Sequence, residues 1–228
     1  MQRKRFSTLR VTAVRLILAT VLIAVPGRLT AEAAGAGHGA ASAVGLSAWD
    51  AGSLGGINPH VFAAALEAAA AAVEKGLAND PATLTVIDFT RPSTEKRMWV
   101  FDVRTHALLF YDLVSHGRGS GKTLATAFSN DASSNMTSLG LYRTAETYLG
   151  HNGYSLRLDG LDRGLNDNAR SRAIVVHGAP YVNAATAKAN GYLGRSLGCP
   201  AVRPEIAHQL IDTIKGGGLL FAYGTPGR

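Results

Sequence analysis

At Asn79-Asp80-Pro81 the hydrophobic pattern of the chain changes from helical to alternating, and this change constrains the fold more than any other feature. Before it, Asn58-Pro59 supplies an N-cap and a first-turn proline. Phe62, Leu66, Ala69, Val73 and Leu77 come next at helical spacing, with Glu67, Glu74 and Lys75 off that stripe. The spacing predicts an amphipathic helix ending near Gly76, its apolar stripe packed on the domain C-terminal to it. After Pro81, residues 83–89, 97–103 and 107–114 are rich in β-branched, aromatic and aliphatic side chains, and Arg104-Thr105-His106 forms a short hairpin connection. Further strands are expected at 139–143, 154–158, 172–177 and 219–223. Pro204 opens a second helix with Ile206, Leu210 and Ile214 on one face, and Gly216-Gly217-Gly218 ends it. No repeat is present. The fold class is therefore mainly β with a few helices, one domain over residues 57–228, with the N-terminal helix packed on it.

The N-terminus reads as an export signal. Arg3, Lys4, Arg5, Arg10 and Arg15 precede the apolar run from Leu16 to Val25, Pro26-Gly27 break it, and Ala31-Glu32-Ala33 offers a cleavage site. The run is short for a bilayer span, which disfavours an uncleaved anchor. Residues 1–33 are thus expected to be a signal peptide. Residues 34–56, rich in Ala, Gly and Ser and nearly uncharged, are expected to be a flexible leader. The signal also accounts for most of the charge. Its six basic residues and one acid give +5 of the chain's +7, which leaves the remainder at about +2. That balance gives no support for nucleic-acid binding.

An exported chain ordinarily uses cysteines in pairs, yet Cys199 is the only one here. It is either an inert buried thiol or one kept for reactivity. His177, ending the apolar run Ala173-Ile174-Val175-Val176, favours the second reading, because a thiol needs a base to become a nucleophile. Such pairing is expected to depress the thiol pKa. Gly198 permits a tight turn, and the N–H groups of Gly198 and Cys199 are candidate donors to an oxyanion. Ser196 either hydrogen-bonds near the histidine or shapes the turn.

The ordered set His177-Gly178 and Gly194-Arg195-Ser196-Leu197-Gly198-Cys199 resembles the L,D-transpeptidase catalytic domain of the YkuD type. The closer resemblance is to its murein L,D-transpeptidase branch. Further phrases of the same family are Thr85-Val86-Ile87-Asp88-Phe89, Val114-Ser115-His116-Gly117, Phe128-Ser129-Asn130 and Gly160-Leu161-Asp162. The resemblance runs from about Asn58 to the C-terminus. It implies a YkuD-like β-sandwich in which Cys199 is the nucleophile and His177 its base. Two departures stand out. Leu197 replaces the histidine of the commoner Ser-His-Gly-Cys signature, and Ala201 replaces an arginine two residues past the cysteine. Arg195 and Arg203 are candidates for binding a substrate carboxylate, with a plain surface charge as the alternative for either. His116 and Tyr181, with Asn183, are candidate lining residues of the cleft.

His116-Gly117-Arg118-Gly119-Ser120-Gly121-Lys122-Thr123 nearly spells a phosphate loop, but His116 stands for its first glycine and no convincing helix comes after it. No nucleotide is expected as a partner. Asp159, Asp162, Asn166, Asp167 and Asn168 do not match a calcium loop, and no His/Cys set has zinc spacing, so neither metal nor cofactor is expected. The resemblance implies a transferase of the periplasm or cell envelope, with peptidoglycan stem peptides as partners and crosslinks between third residues as product. Water as acceptor makes it an L,D-carboxypeptidase instead, and an idle thiol makes it a non-enzymatic wall-binding module. Oligomeric state stays open.

Overall fold

The computed structural model describes residues 49–227. The expected signal peptide, and the expected leader as far as residue 48, lie outside the described residues. The last residues assigned to the leader are not a free linker. Trp49 is buried edge-on against Phe62 and Phe101, a 3-10 turn spans Ala51–Leu54, and the Gly55 carbonyl accepts a 2.9 Å hydrogen bond from the Trp99 indole. A large aromatic side chain gains more by burial here than the small residues around it lose in chain freedom.

Among the described residues, eight strands form one mixed sheet. They are β1 (Thr83–Asp88), β2 (Met98–Asp102), β3 (Leu108–Asp112), β4 (Gly140–Gly150), β5 (Gly153–Gly160), β6 (Val175–Gly178), β7 (Ala201–Val202) and β8 (Leu219–Tyr223), in the order β3-β2-β1-β8-β4-β5-β6-β7. Only β1–β8 and β6–β7 run parallel. Among the described residues the α-helices are α1 (Pro59–Glu74), α2 (Ala184–Asn190) and α3 (Pro204–Ile214). The expected mainly-β domain with a helix packed on it is what the chain forms.

Alternation along the central strands separates two cores. Leu84 and Val86 of β1, Trp99 and Phe101 of β2 and Leu219 of β8 face α1, whose Val61, Phe62, Ala65 and Ala72 are buried against them. Ile87, Met98, Val100 and Leu220 face the opposite way, toward Leu156 and Leu158 of β5, Val175 of β6 and Leu210, Ile211 and Ile214 of α3. The buried face of α1 is turned from the predicted stripe toward Ala65 and Ala72, leaving Val73 and Leu77 exposed. Small side chains at the contact let the helix approach the sheet closely.

The sheet curls until its two edges meet, giving a barrel-like form. Ser115, just past β3, donates its N–H to the carbonyl of Ala201 in β7 at 2.8 Å. Arg203, just past β7, grips Asp112 of β3 with Nε at 2.8 Å and Nη2 at 2.5 Å. This closure positions the site.

Candidate active site

Cys199 lies on the segment entering β7. The parallel β6–β7 register sets His177 opposite Ala201, two residues beyond the cysteine. Both candidates are thus brought to one corner of the molecule by a ladder between segments more than twenty residues apart. The His177 Nδ1 lies 3.0 Å from the Gly178 carbonyl. A carbonyl only accepts, so Nδ1 carries the proton and Nε2 keeps a free lone pair, the form a general base needs.

Burial lowers the His177 pKa, opposed by the Gly178 carbonyl. Burial also raises that of Cys199, opposed by the Val175 N–H and the charge of Arg172. The sulfur is placed to donate to the Ala173 carbonyl at 3.7 Å. The expected depressed thiol is therefore corrected: the resting pair is a neutral thiol and a neutral imidazole, because desolvation penalises both charged forms.

The turn carrying Cys199 is built by Ser196. Its hydroxyl donates to the Cys199 carbonyl at 2.7 Å and accepts the Gly198 N–H at 3.0 Å. Of the two roles left open for Ser196, the structure assigns the turn. The same contact corrects the expected oxyanion role of Gly198: its N–H is already committed to Ser196, which leaves the Cys199 N–H as the candidate donor. Gly198 has φ of 130°, and a Cβ there would lie 2.8 Å from the Met136 carbonyl oxygen, so the position requires glycine.

The glycine-rich segment braces this turn from behind. Gly117 bridges to Ser196, the Arg118 N–H donates to the Ser196 carbonyl at 2.8 Å, and Ser196 N–H donates to the His116 carbonyl at 3.0 Å. Thr137 ties the two together, accepting the Gly117 N–H at 2.9 Å and donating to the Gly198 carbonyl at 3.2 Å. No helix comes after Lys122-Thr123, so the phosphate-loop geometry is not formed.

His116 does not line the cleft. It is fully buried, with Nδ1 2.7 Å from Nη2 of Arg97 and Nε2 3.2 Å from the Gly121 carbonyl. Arginine only donates, so Nδ1 accepts and Nε2–H donates: the ring is neutral. Burial, then the Arg97 charge, holds its pKa down to about 4. Arg97 is itself fully buried, bonded to the carbonyls of Arg91 and Val114 and stacked over Phe89.

The carboxylate-binding candidates are also redistributed. Arg203 is spent on Asp112, closing the sheet, which corrects its expected substrate role. Arg195 donates to the Gly121 carbonyl at 3.0 Å and lies over the Tyr192 ring, pinning the glycine-rich segment. Tyr181 is half-buried beside the cysteine. Its phenol is pushed up to about 12, first by burial and then by the charge a thiolate at Cys199 would carry. A Cβ at Gly194 would collide with the Tyr181 side chain, so glycine is what lets this ring sit there. Asn183 caps α2 through the Thr186 N–H at 2.7 Å and is not a lining residue. Leu197 stands 61% exposed, at the position where the commoner signature has a histidine.

Two residues without a local sequence signal, Thr137 and Arg172, also belong to the site. Arg172 falls where a strand is expected over 172–177. The strand begins only at Val175, after turns in which Ala173 adopts φ of 53°.

The family model described as L,D-transpeptidase catalytic domain matches residues 54–223. No curated protein matches the sequence. Among solved structures, an L,D-transpeptidase from Mycobacterium smegmatis is similar at 15% identity and TM-score 0.40, covering 63% of this chain and 59% of that one. An L,D-transpeptidase (Yku) from Stackebrandtia nassauensis is similar at 14% identity and TM-score 0.39, covering 71% and 67%. The helical cell shape determining protein Pgp2 from Campylobacter jejuni is similar at 12% identity and TM-score 0.41, covering 65% and 50%. The chain thus spans about three fifths of the length of the first of these. The family-model match runs from just before α1 to the end of β8, and on it the chain belongs to the L,D-transpeptidase catalytic domain family.

Proposed function

We propose that the protein is an exported cysteine L,D-transpeptidase acting on peptidoglycan stem peptides in the periplasm or cell envelope. Within the family assignment, one observation carries the reading. The sole cysteine is held on a glycine turn next to β6, whose His177 presents an unprotonated Nε2.

In the proposed reaction the neutral pair reacts in a concerted way. As Sγ of Cys199 attacks the carbonyl before the terminal D-Ala, Nε2 of His177 takes the thiol proton. The Cys199 N–H faces the developing oxyanion. Collapse breaks the amide bond, and the D-Ala amine leaves with the proton from His177, giving a thioester. An amine on the third residue of a second stem then attacks the thioester, His177 takes its proton, and the thiol is restored as the crosslink forms.

The test is intact mass after incubation with a carbapenem, and again with a stem tetrapeptide. The expected result is an adduct lost in Cys199→Ala, and release of D-Ala with a crosslinked product that His177→Ala no longer forms. Tripeptide plus D-Ala without crosslinks assigns water as acceptor. No adduct in the native protein leaves a non-enzymatic envelope module. Because burial holds the imidazole pKa below its ordinary value, acylation should stay level as pH falls toward about 6.5 and drop only below it.

A further inference from the structure

We propose that Arg172 is a positioning residue for the Cys199 thiolate, its guanidinium fixed behind the Gly198–Cys199 turn as the positive charge the deprotonated sulfur faces. Nη1 donates to the Ser129 carbonyl at 2.8 Å and to Ser138 Oγ at 3.2 Å, and Nη2 donates to the Met136 carbonyl at 2.6 Å and to Ser134 Oγ at 3.3 Å. All four acceptors are neutral, and among the described residues Arg172 forms no ion pair. Four tethers hold the group in place and leave its charge uncompensated.

The charge is directed at the site. A Cβ at position 198 would lie 3.3 Å from Arg172 Nη2, so the guanidinium packs against the backbone of the residue before the cysteine. The absent side chain of Gly198 is what permits that approach. Three titratable groups share this corner of the molecule with Cys199. His177, on β6, is neutral at rest, and Tyr181, on the loop after β6, stays a neutral phenol. Arg172, from the turns before β6, is the one among the described residues whose fixed charge favours the thiolate against burial. Arg203 and Arg195, nearer in sequence to Cys199, are engaged elsewhere.

The inference rests on Cys199 being the nucleophile, and its test reads the thiol itself rather than turnover. Iodoacetamide alkylation of Cys199 is followed across pH in the native protein, Arg172→Lys, Arg172→Gln and Ser134→Asp. Arg172→Gln keeps a hydrogen-bond donor but loses the charge. The expected apparent thiol pKa rises by about one unit, which makes alkylation at pH 8 about tenfold slower, and Arg172→Lys restores most of that rate. Ser134→Asp leaves Arg172 in place and sets a carboxylate against Nη2, so it should slow alkylation in the same direction even if Arg172→Gln does not fold. An unchanged pH profile in Ser134→Asp overturns the proposal, as does equal slowing in the Lys and Gln variants. Failure of the transpeptidase reading would appear separately, as an absent carbapenem adduct with these profiles intact.

Discussion

The buried pair Arg97 and His116 sits directly behind the Cys199 turn and makes the domain sensitive to acid. In the folded protein His116 is neutral, with its pKa held down to about 4, whereas an unfolded chain protonates it near 6.5. The stability it contributes is complete above pH 6.5 and is lost as pH falls toward 4, by about 3 kcal/mol in all. Protonation would also place a donor against Arg97, which has nothing to accept it. Urea titrations at about pH 7 and pH 4.5 should show the loss in the native protein. In His116→Asn, whose amide oxygen can replace the Nδ1 acceptor, the difference between the two pH values should shrink by most of that amount. A pH slope identical in both proteins would assign the acid sensitivity to other groups.

Among the small side chains that helix α1 packs on the sheet, Phe62 is the one large anchor. Phe62 is fully buried with ring centroids 5.0 Å from both Trp49 and Phe101. Phe62→Ala should cost about 3–5 kcal/mol in chemical denaturation, since it leaves a cavity between helix and sheet. Val73→Ala, on the exposed side, should change stability by less than about 0.5 kcal/mol. The reverse order would mean that the stripe read from periodicity, and not the face turned toward Ala65 and Ala72, is the packed one. Elsewhere the elements show how a ladder extends beyond its own propensity. Strand β4 continues to Gly150 through a register shift between Thr144 and Thr147, paired all along β5. The sequence pattern marks only residues 139–143. Cross-strand hydrogen bonds and the β5 partner carry the rest.

For the whole molecule, the meeting of the two sheet edges decides whether a site exists. Asp112 is nearly buried and Arg203 is one-third exposed. Their two-point contact crosses from one edge strand to the other. In a double-mutant cycle with Asp112→Asn and Arg203→Gln, the coupling should exceed the roughly 0.2–1 kcal/mol of an exposed pair, reaching about 1–3 kcal/mol. Each single variant should also slow Cys199 acylation, because the segment carrying the cysteine leads straight into the strand this pair secures. Coupling within the surface range, with acylation unchanged, would show that backbone contacts such as Ser115 to Ala201 close the sheet without it.

Local signals in the amino-acid order were enough for the helix start at Asn58-Pro59, the central strands, the mainly-β class and the pairing of Cys199 with His177 as candidates. Caps, period and a glycine turn act over a few residues, so they can be read without knowing what lies across the fold. The same order suggested His116, Arg195 and Arg203 as cleft residues. Their partners are Arg97, Gly121 and Asp112, from 19 to 91 positions away, and no local pattern announces them. Whether an arginine is free or spent, and whether a histidine is a lining or a buried strut, is set by which segments the curled sheet brings together. The neutral state of the thiol has the same origin. Residue types supplied a candidate nucleophile and a candidate base, while desolvation by the assembled core decided the charge each one carries at rest.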